Sequence, residues 1–178
     1  MANLIVTDNS YLELALKQLC FNCNAQSDLL IIDLDSFHSL NDMMDLIRAR
    51  NVNDDVRVCL LGACSVIFKV LIRYKPIRVN EGFNSFKYKI TNSRFSTLLE
   101  IKLYIESICK MSMFSNRQQQ CLYALKTYRE VNGISKATGL AVKTVYTIIR
   151  CAGEKINLTS LLQVRQFVSS NYSVLNER

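Results

Sequence analysis

Two short apolar runs, Leu29 to Leu34 (Leu-Leu-Ile-Ile-Asp-Leu) and Val56 to Leu61 (Val-Arg-Val-Cys-Leu-Leu), set the strongest limit on what this chain can fold into. A strand with one wet face alternates apolar and polar residues. A run with little alternation reads as a strand buried on both faces, as in a parallel sheet covered by helices. Asn3 to Thr7 reads as a further strand, followed by cap-forming Asp8, Asn9 and Ser10. Between the runs, helical spacing recurs: Leu12, Ala15, Leu16 and Leu19 within Tyr11 to Leu19, then Leu40, Met43, Met44 and Ile47 within Leu40 to Arg50. Strand and helix alternate, which predicts an α/β layer with right-handed crossovers.

From Cys64 to Thr91 the pattern is less regular. Cys64 to Tyr74 fits a helix or a segment containing a strand, Pro76 breaks it, and Phe86 to Ile90 alternates like an edge strand. Leu98, Ile101, Ile105 and Ile108 restore helical periodicity over Arg94 to Met111, which closes a first domain at residues 1–111. Residues 114–178 form a second domain that is all helical in pattern. Ser115 caps a helix to about Thr127, Asn132-Gly133 begins a second, and Gly139 marks a turn. Ala141 to Ile156 is a third helix, and Thr159 or Ser160 caps a fourth ending near Ser170. Helix, tight turn, helix is the helix-turn-helix plan.

Composition narrows the function. With 49% hydrophobic and 21% charged residues over 178 positions, the chain has the mix of a folded protein. Its five glycines nowhere have the spacing of a dinucleotide fingerprint or phosphate loop, His38 is the sole histidine, and no serine sits in a Gly-x-Ser-x-Gly elbow. An enzyme is therefore not expected, nor any cofactor. No targeting segment is visible, and the best apolar stretch, Val58 to Ile72, falls short of a bilayer span and carries Lys69. Seven cysteines, an odd number, fit a reducing compartment. The expectation is a cytoplasmic protein with no membrane partner.

Charge is distributed unevenly. Of the 22 basic and 15 acidic side chains, nine basic but only three acidic ones follow Met113, so most of the net +7 lies in the last third. An anionic polymer as partner would ask for this, and a solubility device would also produce it. Within that segment Val145, Ile149, Ala152 and Ile156 form one apolar stripe, which turns Lys143, Thr144, Tyr146, Thr147 and Arg150 outward. Lysine and arginine can bond guanine edges or phosphates, and hydroxyls suit phosphate oxygens. Arg117, Lys136 and Lys155 flank this face as candidate phosphate clamps. A solvated helix surface is the plain alternative.

These residues resemble a known family. Phe114-Ser115-Asn116-Arg117-Gln118-Gln119-Gln120-Cys121-Leu122 is similar to the opening of the helix-turn-helix domain of LuxR-type bacterial transcription regulators, Leu-Thr-x-Arg-Glu-x-Glu-Val-Leu. Lys143-Thr144-Val145, continuing to Glu154-Lys155-Ile156, resembles that family's recognition helix at nearly the same spacing. Gln118 and Gln120 replace acids, Ile148 stands where histidine is common, and Gly153 weakens the helix by about 1 kcal/mol relative to alanine. These departures bear on base preference more than on fold.

The N-terminal domain resembles a degenerate receiver, with Asp33 at the phosphoacceptor position. Only Asp8 follows the first strand in place of an acidic pair, and Gly62 and Ala63 stand where a hydroxyl is needed. One strand–helix step fits between Asp8 and Asp33, which implies a receiver short of one strand and one helix. Similar cut-down receivers occur in auxiliary regulators of capsule, acid resistance and fimbriae in enteric bacteria.

The resemblance implies a truncated receiver-like α/β domain joined to an all-α helix-turn-helix domain. The function implied is a phosphorylation-independent, sequence-specific regulator of transcription that binds double-stranded DNA in the nucleoid as a dimer. Its partner would be a second copy or a related regulator, and RNA polymerase is a further candidate. In this family the fourth helix is often a dimer contact, which points to Leu161, Leu162 and Gln163. The alternative is a protein that works mainly by pairing with a full response regulator.

Other constellations have plainer readings beside them. Asp8, Asp33 and Asp35 could hold a divalent cation or be relic carboxylates at strand ends. Cys20 and Cys23, with Cys59 and Cys64, would allow a four-thiolate zinc site on paper, but buried cysteine is the commoner case. No metal is expected. His38 reads as a surface or capping group.

Overall fold

The computed structural model describes residues 4–22 and 29–172. β1 (Leu4–Val6) leads through α1 (Ser10–Asn22) to β2 (Leu29–Asp33) and a 3-10 turn at Leu34–Ser36. α2 (Leu40–Ala49), β3 (Arg57–Gly62) and α3 (Val66–Val70) follow. A second 3-10 turn at Ile72–Tyr74 precedes β4 (Ile77–Arg78), α4 (Phe83–Asn92), β5 (Ser96–Thr97) and α5 (Leu98–Cys109).

β1, β2, β3 and β4 lie side by side in that order, all parallel. β4 pairs with the end of β3 at Leu61 and Gly62, while β5 runs antiparallel to its beginning at Arg57 and Val58. The period of two sorts the strand residues between faces. Leu30, Ile32, Val58 and Leu60 join the core with α2, α3 and α5. Leu29, Ile31, Cys59 and Leu61 join one with Leu16 and Leu19 of α1 and Ile90 of α4. Both runs are thus covered on both faces, as their composition predicts. A single helix joins β1 to β2, as the spacing between Asp8 and Asp33 implies. The free edge of β1 is partly covered by Arg50, whose Nη1 donates to the Ile5 carbonyl at 3.3 Å.

Phe86 to Ile90 corrects an expectation. It is not an edge strand but the middle of α4, where half-buried Phe86 and buried Ile90 lie one turn apart. Apolar residues at positions 86, 88 and 90 satisfy strand alternation, and 86 with 90 satisfies the helix equally; Tyr88, 68% exposed, decides for the helix. The closing helix begins at Leu98, later than Arg94, behind the short strand β5. Thr97 and Glu100 form a capping box there.

The C-terminal segment contains α6 (Asn116–Thr127), α7 (Val131–Thr138), α8 (Val142–Lys155) and α9 (Leu161–Asn171). Ser115 caps α6 in a capping box with Gln118, Gly139 takes φ 69° at the turn after α7, and the Ser160 side chain accepts from Gln163 N at the start of α9. The apolar core is continuous across the junction near Met111 and Phe114, running from Val6 and Leu40 through Ile108 to Ile134, Ile149 and Phe167. Among the described residues no helix is long and apolar enough to cross a membrane.

Gly153 has a different role from the one its helix propensity suggests. A Cβ there would lie 2.7 Å from the Leu158 carbonyl oxygen and 2.7 Å from Val164 Cγ2, so glycine permits the close turn from α8 into α9. Gly153→Ala should therefore destabilise the protein by about 1–3 kcal/mol despite alanine's better helix propensity. Denaturant titration checks this; a variant as stable as the parent would show that the turn yields without cost.

Candidate nucleic-acid interface

α8 and the residue that follows it bury Val145, Ile149, Ala152 and Ile156, each 1% exposed or less, with the helix packed against α6, α7 and α9. Its opposite side carries Lys143, Thr144, Tyr146, Thr147 and Arg150, all exposed. The apolar stripe fixes the polar face. Thr147 Oγ1 donates to the Lys143 carbonyl at 3.1 Å, leaving its oxygen free to accept. Arg150 Nε lies 3.6 Å from Glu154 Oε1, and both side chains are mostly exposed, so the pair is weak and the guanidinium remains open to another anion. A groove of about 310 Å³ runs between α8 and α9, lined by Tyr146, Thr147, Arg150, Leu158, Ser160 and Leu161.

One feature of this end is missed by reading side-chain chemistry along the helix. α8 is preceded by Ala141, which makes no side-chain cap bond. Its first backbone N–H groups lack the partner that Ser115 gives α6 and Ser160 gives α9. The signal was present as alanine where a capping residue is usual.

The flanking cations divide. Arg117, in the first turn of α6, and Lys136, in the last turn of α7, are exposed. Lys155 is engaged elsewhere: its Nζ donates to the Met113 carbonyl at 3.0 Å and to Gln118 Oε1 at 2.9 Å, and lies 6.0 Å from the Phe114 ring centroid. It fastens the end of α8 to the start of α6 while remaining exposed, so unlike Arg117 and Lys136 its ammonium is shared with the fold.

On α9, Leu162 is 65% exposed and Leu161 is half-buried. Gln163 is occupied by the helix start, its N–H donating to Ser160 Oγ and its Oε1 accepting from Thr159 N at 3.1 Å. The exposed part of the expected dimer contact is thus Leu162. Arg165 is also engaged, donating to the Tyr128 carbonyl at 3.0 Å near the end of α6.

The carboxylates at the strand ends form a closed hydrogen-bonded set. Asp33, 6% exposed, accepts from Thr7 Oγ1 at 2.8 Å and Ser36 Oγ at 2.9 Å through Oδ2, and from Asp35 N at 3.2 Å through Oδ1. The Ser36 hydroxyl also lies 2.6 Å from Asp8 Oδ1, so Asp8 and Asp33 compete for its proton. Asp35 Oδ2 accepts from Ala63 N at 2.6 Å. Among the described residues no three histidine, cysteine, aspartate or glutamate side chains are grouped to hold a metal.

Cys23 lies outside the described residues. Cys20 of α1 and Cys59 of β3 are buried in the same core, where burial and then the neighbouring Cys20 push the Cys59 thiol well up. Cys64 is exposed in the loop after β3. His38 is exposed beside a groove shared with Phe37, Gln166 and Ser170.

No family model matches the chain, and no curated protein matches it. Among solved structures it is similar to RcsB from Salmonella enterica serovar Typhimurium, bound to promoter rprA in the presence of phosphomimetic BeF3-. The identity is 14% and the TM-score 0.59, over 96% of this chain and 99% of that one, so the two share a fold. A further similarity is to the response regulator StyR, at 15% identity and a TM-score of 0.36, over 93% of this chain and 96% of that one.

Proposed function

We propose that this protein is a sequence-specific DNA-binding regulator of transcription that reads the major groove with α8, acts as a dimer and does not depend on phosphorylation. The observation that carries the reading is the outward face of α8: two cations, two threonines and a tyrosine, all exposed, on a helix held by an apolar stripe behind a tight turn. The pairing of α7 with α8 across Gly139 supports a helix-turn-helix reader of LuxR type, and the uncapped start of α8 suits a phosphate. The shared fold with RcsB, itself bound to promoter DNA, supports the same reading. Arg117 and Lys136 position the helix on the backbone, while Lys143 and Arg150 reach bases or phosphates. Mapping bound DNA across the genome, alone and with related regulators present, tests this; no enrichment in either condition would contradict it.

Phosphorylation independence draws on the Asp33 contacts. Both oxygens are already engaged, and Gly62 and Ala63 offer no hydroxyl at the end of β3. Small phosphodonors should leave no stable acyl phosphate by mass spectrometry. Asp33→Ala should lower stability by about 1–3 kcal/mol, since it removes a buried acceptor shared by three partly buried hydrogen bonds, yet leave DNA affinity unchanged. Stoichiometric phosphate on Asp33 would contradict this.

A single reader of this size needs a partner on the adjacent half-site about one helical turn away. Leu162→Glu should therefore weaken binding to a paired site at least several-fold without unfolding the chain, as sedimentation and circular dichroism would report. A monomer with full specificity would exclude the dimer.

The second reading, a regulator acting mainly by pairing with a full response regulator, has one observation in its favour. Tyr11, Leu14 and Phe21 are 87%, 67% and 86% exposed and form an outward stripe on α1 opposite its buried face. Genome occupancy found only with the related regulator present would favour it.

A further inference from the structure

The C-terminal end of α9 is joined to the sheet domain by a buried polar contact that the DNA-reading chemistry does not use. Asn171 is 4% exposed. Its Oδ1 accepts the Leu40 backbone N–H at 2.7 Å, its own carbonyl accepts from Asn41 Nδ2 at 2.9 Å, and its Nδ2 donates to the Phe167 carbonyl at 2.9 Å. Leu40 is the first residue of α2, where backbone donors have no partner within the helix. Ser39, the cap residue, accepts from Asp42 N, so the donor at Leu40 is satisfied by a residue 131 positions further along the chain.

Neighbouring contacts reinforce the joint. Tyr172 Oη donates to the Ile108 carbonyl of α5 at 3.1 Å, Lys126 of α6 donates to the Tyr172 carbonyl, and α9 packs on α3. All of these meet the reader helices on the side of α9 and the end of α6. The outward residues of α8 stay exposed while the two halves are joined in this way.

We infer that Asn171 is a positioning residue that latches the reader helices to the sheet domain in an orientation that leaves the face of α8 free for duplex DNA. The inference rests on the DNA-reading proposal. It goes further in assigning the docked arrangement itself as the binding-competent one, with no release of the halves required. A fixed orientation matters because two tethered readers gain from each other only when their geometry permits simultaneous engagement. The latch should thus affect recognition of paired half-sites and leave the single-site chemistry of α8 alone.

The test uses the full chain with Asn171→Ala and Asn41→Ala. The probes are a duplex enriched from a random-sequence pool by the wild-type protein and the same duplex with one half scrambled. The wild type should prefer the intact duplex. Asn171→Ala should bind the scrambled duplex within about twofold of wild type yet lose its preference for the intact one by about tenfold. Hydrogen exchange at the Leu40 amide should rise by a similar factor. Asn41→Ala, at an exposed position, should fold normally and show a smaller loss of the same preference.

Unchanged preference and unchanged Leu40 exchange in Asn171→Ala would overturn the latch. So would tighter binding of both duplexes, which would make the docked form inhibitory. If Asn171→Ala does not fold, an Asn41→Ala protein with wild-type preference overturns it. A wild-type protein that enriches no duplex fails at the earlier step: the DNA reading falls and takes the latch's role with it, while Leu40 exchange still reports whether the joint exists.

Discussion

Phe167→Ala should destabilise the protein by about 3–5 kcal/mol, a large part of the roughly 5–15 kcal/mol that holds a domain together. Phe167 is 1% exposed and lies edge-on to Tyr172 at 5.9 Å between ring centroids. It sits in the continuous core, on the helix that packs against α6, α8 and α3, so truncation opens a cavity where the two halves meet. The melting temperature should fall by about 6–20 °C, given roughly 2–4 °C per kcal/mol for a chain of this size. Thermal unfolding followed by circular dichroism reads this. A loss below about 1 kcal/mol would mean that the two halves do not share a core at this point.

Lys143→Ala and Arg150→Ala should each cost about 1–3 kcal/mol of DNA affinity where they meet base edges, and somewhat less where they meet only phosphates. Neither side chain is committed to the fold: both are exposed, and the one ion pair, Arg150 with Glu154, is a loose surface contact. Stability should accordingly stay within about 0.5 kcal/mol of wild type, which separates loss of contact from loss of structure. Lys155→Ala should behave in the opposite manner, because its ammonium holds Met113 and Gln118. Fluorescence anisotropy with a selected duplex, run beside denaturant titrations, distinguishes the two classes.

The C-terminal helices were legible in the sequence because their ends carry strong local chemistry. Ser115 with Gln118, Gly139 at φ 69° and Ser160 mark boundaries within a residue or two of those observed. The buried runs of β2 and β3 were legible for a similar reason, since few other environments accept Leu-Leu-Ile-Ile. The region from Cys64 to Thr91 was not, because α3 has five residues and β4 two, too few to repeat a pattern, and in α4 Phe86, Tyr88 and Ile90 fit a strand as well as a helix.

For the site, the stripe of Val145, Ile149, Ala152 and Ile156 was enough to orient α8 and hence its polar face. What the sequence could not display were partners distant along the chain. Lys155 with Gln118 and Asn171 with Leu40 depend on tertiary placement, and so does the close approach of Leu158 and Val164 to Gly153. Each of these residues looks, in one dimension, like a surface cation, an ordinary polar residue or a helix defect.

The central claim, that the exposed face of α8 and its flanking cations bind duplex DNA, is tested most directly by titrating the full protein onto a selected duplex across a salt series. With Lys143, Arg150, Arg117 and Lys136 all on phosphates, the logarithm of the binding constant should fall linearly with the logarithm of salt, with a slope of about −3 to −4 per bound copy. Lys143→Ala should make it shallower by about one unit if that lysine meets a phosphate. No duplex binding at low salt, or a slope near zero that the reader substitutions leave unchanged, would contradict it.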